Sequence, residues 1–207
     1  MNMIAASDPA TLRRATEVLD RGGLVVIPTD TVYGVAARLD RAAAIARLYV
    51  AKGRPEEKPI PVLISSAGQL ARLTRDLPPG AEAFVARFWP GALTVALPRA
   101  ATVPDEVTAG LDTVGLRMPD HPFALALIEA CGGALAVTSA NRSGEPSLCD
   151  AAAVAEAIGG AVDLIVDGGR TPGGVASTVI ALDASGPRVL REGPFGAATL
   201  QAAWARR

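Results

Sequence analysis

LVVIPTDTVYG, Leu24 to Gly34, begins as four apolar residues and breaks at Pro28 into a passage carrying two threonines, an aspartate and a tyrosine. A short continuous apolar run between Gly22-Gly23 and a proline fits a strand buried on both faces, as in sheets covered by helices. If the chain stays extended beyond Pro28, the period of two puts Thr29, Thr31 and Tyr33 on one face. Lys52 and Lys58, the only lysines, lie just downstream, and every other basic residue is arginine. Two compact, strongly hydrated ammonium groups this close together suit phosphate or carboxylate oxygens. A strand end and a solvated surface would account for the same residues taken alone.

Working outward, Ser7 or Asp8 can cap a first helix, with Pro9 in its first turn, Leu12, Ala15 and Leu19 along one face, and Gly22-Gly23 as its stop. Asp40 can cap a second helix through Ala51, so Lys52 and Arg54 fall on the loop where Gly53 and Pro55 break it. Further strands are read at 62–64, 92–97, 114–118, 134–138, 164–166, 178–182 and 188–190, and further helices at 66–73, 79–88, 122–131, 150–158 and 197–206. Residues 100–112 read as a connector. In the 114–118 strand, Val114, Leu116 and Met118 face one way and Arg117 the other. A buried arginine there needs an anionic partner, which an internal carboxylate or a ligand could equally supply. The alternation of elements predicts one layered α/β domain over residues 1–207.

The chain has 207 residues, half of them hydrophobic and a fifth charged, which suits an ordered domain with a sizeable core. A net charge of −1 argues against a protein that grips nucleic acid mainly by counterion release, although a local cationic cleft is compatible with it. Cys131 and Cys149 show no CxxC spacing, and no secretory segment opens the chain, so reduced thiols and a cytoplasmic location are expected. No apolar run approaches membrane-spanning length. His121 is the only histidine, which excludes a multi-histidine zinc site and points to chemistry without imidazole. Neither a Walker-type GxxxxGK[ST] nor a GxGxxG after a strand occurs. If a nucleotide binds here, neither of these two phosphate loops holds it, and no zinc, no flavin and no NAD are expected. The loop SANRSGEPS, 139–147, precedes a helix and can aim N–H groups and hydroxyls at an anion, although such clusters are also ordinary loop chemistry. The turn GGRTPGG, 168–174, reads either as a mobile lid or as a plain surface turn.

The motifs PTDTVYG, KGRPEEKP, WPGALT, VGLRMPDHP, VTSANRSGEPS, STVI and LREG occur in that order between residues 24 and 193. Together they resemble the YrdC-type threonylcarbamoyl-AMP synthases, in their short single-domain form. The resemblance implies a twisted mixed β-sheet flanked by helices, with a cationic concave face. It implies an enzyme joining L-threonine, bicarbonate or carbon dioxide, and ATP into threonylcarbamoyl-AMP plus pyrophosphate. The product would pass to the tRNA threonylcarbamoyl transfer machinery, with weak or no direct tRNA binding and no membrane partner.

By the same resemblance, Lys52 and Arg54 match the KxR motif and would carry catalysis. Arg54 and Lys58, with Ser139, Asn141, Ser147 and Arg191, would hold ATP. Thr31, Tyr33, Arg117 and Ser177 would hold threonine. Mg2+ would arrive with ATP, and Asn141 would contact it mainly through the phosphates. Leu63 stands where longer members carry a histidine, and His121 is expected to be structural. Two rival readings are a non-catalytic double-stranded RNA or tRNA-binding module and a nucleotide-binding regulatory homologue.

Overall fold

The structure is a computed structural model describing residues 2–206, and its apolar runs become strands of one sheet. The first five strands are β1 (Met3–Ala5), β2 (Val25–Ile27), β3 (Gly34–Arg38), β4 (Val62–Ile64) and β5 (Leu93–Pro98). The next five are β6 (Thr113–Arg117), β7 (Ala134–Ser139), β8 (Leu164–Asp167), β9 (Thr178–Asp183) and β10 (Gly186–Arg191). They lie side by side in the order β1-β8-β2-β3-β7-β4-β6-β5-β9-β10. The β1–β8, β2–β8, β4–β6 and β5–β9 pairs are parallel and the remaining neighbours antiparallel, so the sheet is mixed. The helices are α1 (Thr11–Asp20), α2 (Ala42–Lys52), α3 (Leu70–Leu73), α4 (Ala81–Val85), α5 (Asp105–Thr108), α6 (Pro122–Ala130), α7 (Ala151–Ile158) and α8 (Ala197–Ala205).

Period two sorts each strand between two cores. Val25 and Ile27 of β2 join Leu19 of α1 and Leu127 and Ile128 of α6 on one face, whereas Val26 joins Ile45 and Leu48 of α2 on the other. Each fully buried aliphatic side chain contributes roughly 1.5–3 kcal/mol, so the hydrophobic pattern fixes which face each strand presents. Val114 and Leu116 of β6, and Leu93, Val95 and Leu97 of β5, are buried on the α2 side. Thr113, Gly115 and Arg117, with Thr94 and Ala96, face the opposite side, as the alternation in β6 predicts. α1 and α6 pack over the β8-β2-β3-β7-β4 part of that opposite face. The outward residues of β5, β6 and β9 floor a cleft beside it.

Several expectations are corrected. The chain does not stay extended beyond Pro28: β2 ends at Ile27, residues 28–33 turn, and β3 returns antiparallel, so Thr29, Thr31 and Tyr33 do not line one strand face. The connector 100–112 contains α5, and the helix expected over 79–88 is the shorter α4. α1 begins after Ala10, without a side-chain cap, while Asp8 accepts the Ala10 N–H at 2.8 Å in the preceding turn. α2 likewise lacks a side-chain cap, because Asp40 is drawn to Arg38 through two 3.1 Å contacts. His121 Nδ1 accepts from Ala124 N at the start of α6, the structural role expected of it.

Candidate active site

The cleft has a volume of about 600 Å³. Four cationic side chains border it: Arg54 and Lys58 from the loop after α2, Arg117 at the end of β6, and Arg191 at the end of β10. Thr31, Tyr33, Ser139 and Ser177 also line it, whereas Lys52, Asn141 and Ser147 are not among its lining residues. Leu63 contributes to the wall from β4, where its register partner is Arg117.

Arg117 is buried, and its partner is internal. Its Nη2 donates to Asp30 Oδ1 at 2.5 Å, Nη1 to Thr31 Oγ1 at 2.9 Å, and Nε to the Gly91 carbonyl at 2.9 Å. Two of the five guanidinium N–H groups are left for a ligand. Burial lowers the Arg117 pKa while Asp30 opposes that shift. The pair is 7% and 14% exposed, so removing Asp30 would strand a desolvated cation at a cost of roughly 3–5 kcal/mol. Asp30 also accepts from Asp120 N at 3.1 Å, tying the turn after β2 to the end of β6. Sequence reasoning did not single out Asp30, although the demand of a strand arginine for an anion, and its seat beside Thr31, were the available signal.

Lys52 lies behind the cleft wall. Its ammonium donates to the Ser139 carbonyl, to Ser139 Oγ at 3.1 Å and to Asn141 Oδ1 at 3.4 Å. Burial, with the Arg54 charge acting the same way, holds it down to about 7. Asn141 spends its amide nitrogen on the Arg142 and Glu145 carbonyls, at 2.8 and 2.7 Å. Its oxygen faces an ammonium, so the side chain is committed to shaping the 139–147 loop. Among the described residues no group of three or more His, Cys, Asp or Glu side chains is placed to hold a metal ion. With Asn141 Oδ1 turned toward the Lys52 ammonium, this loop presents no preformed set of oxygen ligands for a resident magnesium ion among the described residues. The start of α7 is closed to a foreign anion, because Asp150 already accepts from Ala152 N and Ala153 N.

Arg54 braces its own loop, donating to the Lys58 and Pro59 carbonyls at 3.2 and 2.8 Å. Arg191 donates to the Ser177 carbonyl, at 2.7 Å from Nη2, and to Ser177 Oγ at 3.1 Å. Its pKa is lowered, first by burial and then by the charges of Arg117 and Arg54, which border the same cleft. Ser177 Oγ also lies 2.8 Å from Thr94 Oγ1, a cleft residue that sequence reasoning passed over. Gly193 makes this corner possible, since a Cβ there would fall 2.3 Å from Thr178 N.

The turn 168–174 is fastened to the PTDTVYG passage. Tyr33 Oη donates to the Gly169 carbonyl at 2.6 Å and accepts from Gly168 N at 3.1 Å, while Gly174 N donates to the Thr31 carbonyl at 3.0 Å. Gly173 abuts Thr31, where a Cβ would meet its Cα at 2.8 Å.

A family model named Sua5_yciO_yrdC, described as telomere recombination, matches residues 17–193. The chain is 46% identical over 182 residues to a threonylcarbamoyl-AMP synthase of Pyrococcus abyssi, covering 88% of this chain and 54% of that protein. It is 44% identical over 191 residues to the threonylcarbamoyl-AMP synthase of Bacillus subtilis, covering 92% and 55% respectively. It thus spans about half the length of these relatives. The structure of P. abyssi Sua5 complexed with L-threonine matches with a TM-score of 0.88 at 44% identity, over 93% of this chain and 56% of that one. With the family model running through nearly all of the strands and helices described above, the chain belongs to the Sua5/YciO/YrdC family.

Proposed function

We propose that this chain is an L-threonylcarbamoyladenylate synthase, a nucleotidyltransferase acting on L-threonine, bicarbonate or carbon dioxide, and ATP. The observation that carries the reading is the convergence of Arg54, Lys58, Arg117 and Arg191 on one cleft floored by hydroxyls, in a protein whose single histidine caps α6. Its relatives' name supports the same reading.

The chemistry needs positive potential and alignment more than proton relay. The threonine amine and carbon dioxide form a carbamate with loss of a proton. A carbamate oxygen then attacks the α-phosphorus of ATP, and the bond to the β-phosphate oxygen breaks, so pyrophosphate leaves with the electron pair. Arg54 and Lys58 would hold the triphosphate with Ser139, and Arg191 would reach the nucleotide from the opposite wall. Arg117, Thr31 and Ser177 would hold threonine, Arg117 through its two unspent N–H groups. Lys52 would act from behind by setting the Ser139 and Asn141 loop, and Ser147 belongs to the same loop beyond the cleft. Tyr33 would shape the threonine end through the turn it anchors. Magnesium enters as part of the MgATP substrate, where it neutralises phosphate charge.

The mixed anhydride made this way is an activated acyl donor, and the tRNA threonylcarbamoyl transfer machinery would consume it. A cytoplasmic setting suits free thiols at Cys131 and Cys149. Among the described residues no helix is long and apolar enough to cross a membrane. The test is pyrophosphate release by the purified chain with MgATP, bicarbonate and L-threonine. Release that depends on both threonine and bicarbonate is expected. ATP binding without such release would reduce the chain to a nucleotide-binding homologue.

A further inference from the structure

Hydrogen-bond accounting around Thr31 has a single solution. Thr29 Oγ1 lies 2.7 Å from the Val32 carbonyl, which can only accept, so the Thr29 proton is spent there. Thr29 Oγ1 must then act as acceptor in its 3.0 Å contact with Thr31 Oγ1, and it also accepts from Thr31 N at 3.2 Å. Both of its lone pairs are filled. The Thr31 hydroxyl is therefore the donor of that pair, and its own oxygen accepts from Arg117 Nη1 at 2.9 Å. One lone pair remains on Thr31 Oγ1, on a residue only 1% exposed that lines the cleft.

The opposite corner counts differently. Thr94 and Ser177 hold two hydroxyl protons between them, their 2.8 Å contact consumes one, and Arg191 fills a lone pair of Ser177. One O–H remains free to donate. The cleft thus has an acceptor-only hydroxyl at Thr31 and a donor-bearing pair at Ser177.

We infer that Thr29 is a positioning residue that locks the Thr31 hydroxyl as an acceptor, so that Thr31 selects an N–H or O–H donor of the amino acid and rejects its carboxylate. This rests on the synthase reading and deepens it. The carboxylate is directed to the remaining Arg117 N–H groups or to the Ser177 side, and the amino acid enters in one orientation. The donor that meets Thr31 is either the amine or the side-chain hydroxyl of the substrate, and ligand pairs separate the two.

Calorimetry with wild type, Thr29→Val and Thr29→Ser tests the assignment. L-2-aminobutyrate against 2-oxobutyrate exchanges the amine for a keto acceptor, and L-threonine against L-2-aminobutyrate removes the hydroxyl. Wild type should prefer the donor-bearing member of at least one pair by about tenfold or more, the scale of one buried hydrogen bond. Thr29→Val frees the Thr31 proton and should shrink that preference at least threefold, and Thr29→Ser should keep it. A purely structural lesion would weaken both members equally and leave the ratio unchanged, which would overturn the assignment, as would a wild type with no preference in either pair. Absence of any L-threonine binding to wild type would instead count against the synthase reading itself. Should Thr29→Val not fold, Thr29→Ala, which also removes the Thr29 hydroxyl, takes its place and is expected to shrink the same ratio at least threefold, an unchanged ratio overturning the assignment.

Discussion

Lys52 shows how a single buried charge can be read out by pH. The residue is 3% exposed and its ammonium is held down to about 7 against an ordinary value of 10.5, with burial the leading cause. Below about 7 it is charged in both the folded and unfolded chain, so the cost of burying the charge is fully present. Between about 7 and 10.5 the unfolded chain binds the proton and the folded one does not, so stability rises with pH, by at most about 1.4 kcal/mol per unit. Three oxygens surround the ammonium and favour its charged form, which reduces the slope. Lys52→Met removes the titration. Urea unfolding at pH 7 and pH 9 should show wild type gaining on the variant across that interval. Parallel profiles would mean that the three oxygens keep Lys52 charged throughout.

At the scale of elements, the turn 168–174 and the passage after β2 behave as one unit because Tyr33 links them. Tyr33 is fully buried, and its hydroxyl bonds to Gly168 and Gly169. Tyr33→Phe leaves one N–H and one carbonyl without that partner, a cost of roughly 1–3 kcal/mol. In a domain of this size that lowers Tm by about 2–4 °C per kcal/mol. Hydrogen exchange should accelerate at Gly168 and Gly169 and leave β2 and β3 unchanged. Unaltered exchange there would show that the Thr171 N and Gly174 N bonds, to the Cys149 and Thr31 carbonyls, suffice to hold the turn. The same elements show what the sequence could reveal. The alternation in β6 was legible because period two is a local property, and Arg117 duly faces away from Val114 and Leu116. β1 was not, since a three-residue edge strand exists only through its parallel partner β8, far along the chain. The caps at Asp8 and Asp40 failed because each carboxylate found a nearer partner than its helix. In the cleft, the cations were legible from their motifs. Asp30 and Thr94 were not, because they act on other side chains, and Asp30 meets Arg117 from 87 positions away, while Thr29 was legible as a hydroxyl of the passage but not in its bond to Thr31.

For the whole molecule, a net charge of −1 coexists with a cleft where several cations converge, and together these two facts support the proposed nucleotide site over a nucleic-acid surface. One of the four bordering cations, Arg117, is neutralised by Asp30, which leaves Arg54, Lys58 and Arg191 to meet phosphate. Three such charges suit a triphosphate. For a duplex they would release about three counterions, giving a logarithmic salt slope of roughly −3, far from the steep dependence of proteins that grip many phosphates. The rest of the surface supplies no excess of positive charge to add to it. A fluorescent RNA hairpin at about 150 mM salt should therefore show no anisotropy change with micromolar protein. Any binding seen at low salt should be displaced by ATP, because it draws on the same three side chains. Sub-micromolar binding at about 150 mM salt that ATP does not displace would transfer the cleft's charges from nucleotide to RNA and favour the non-catalytic RNA-binding module.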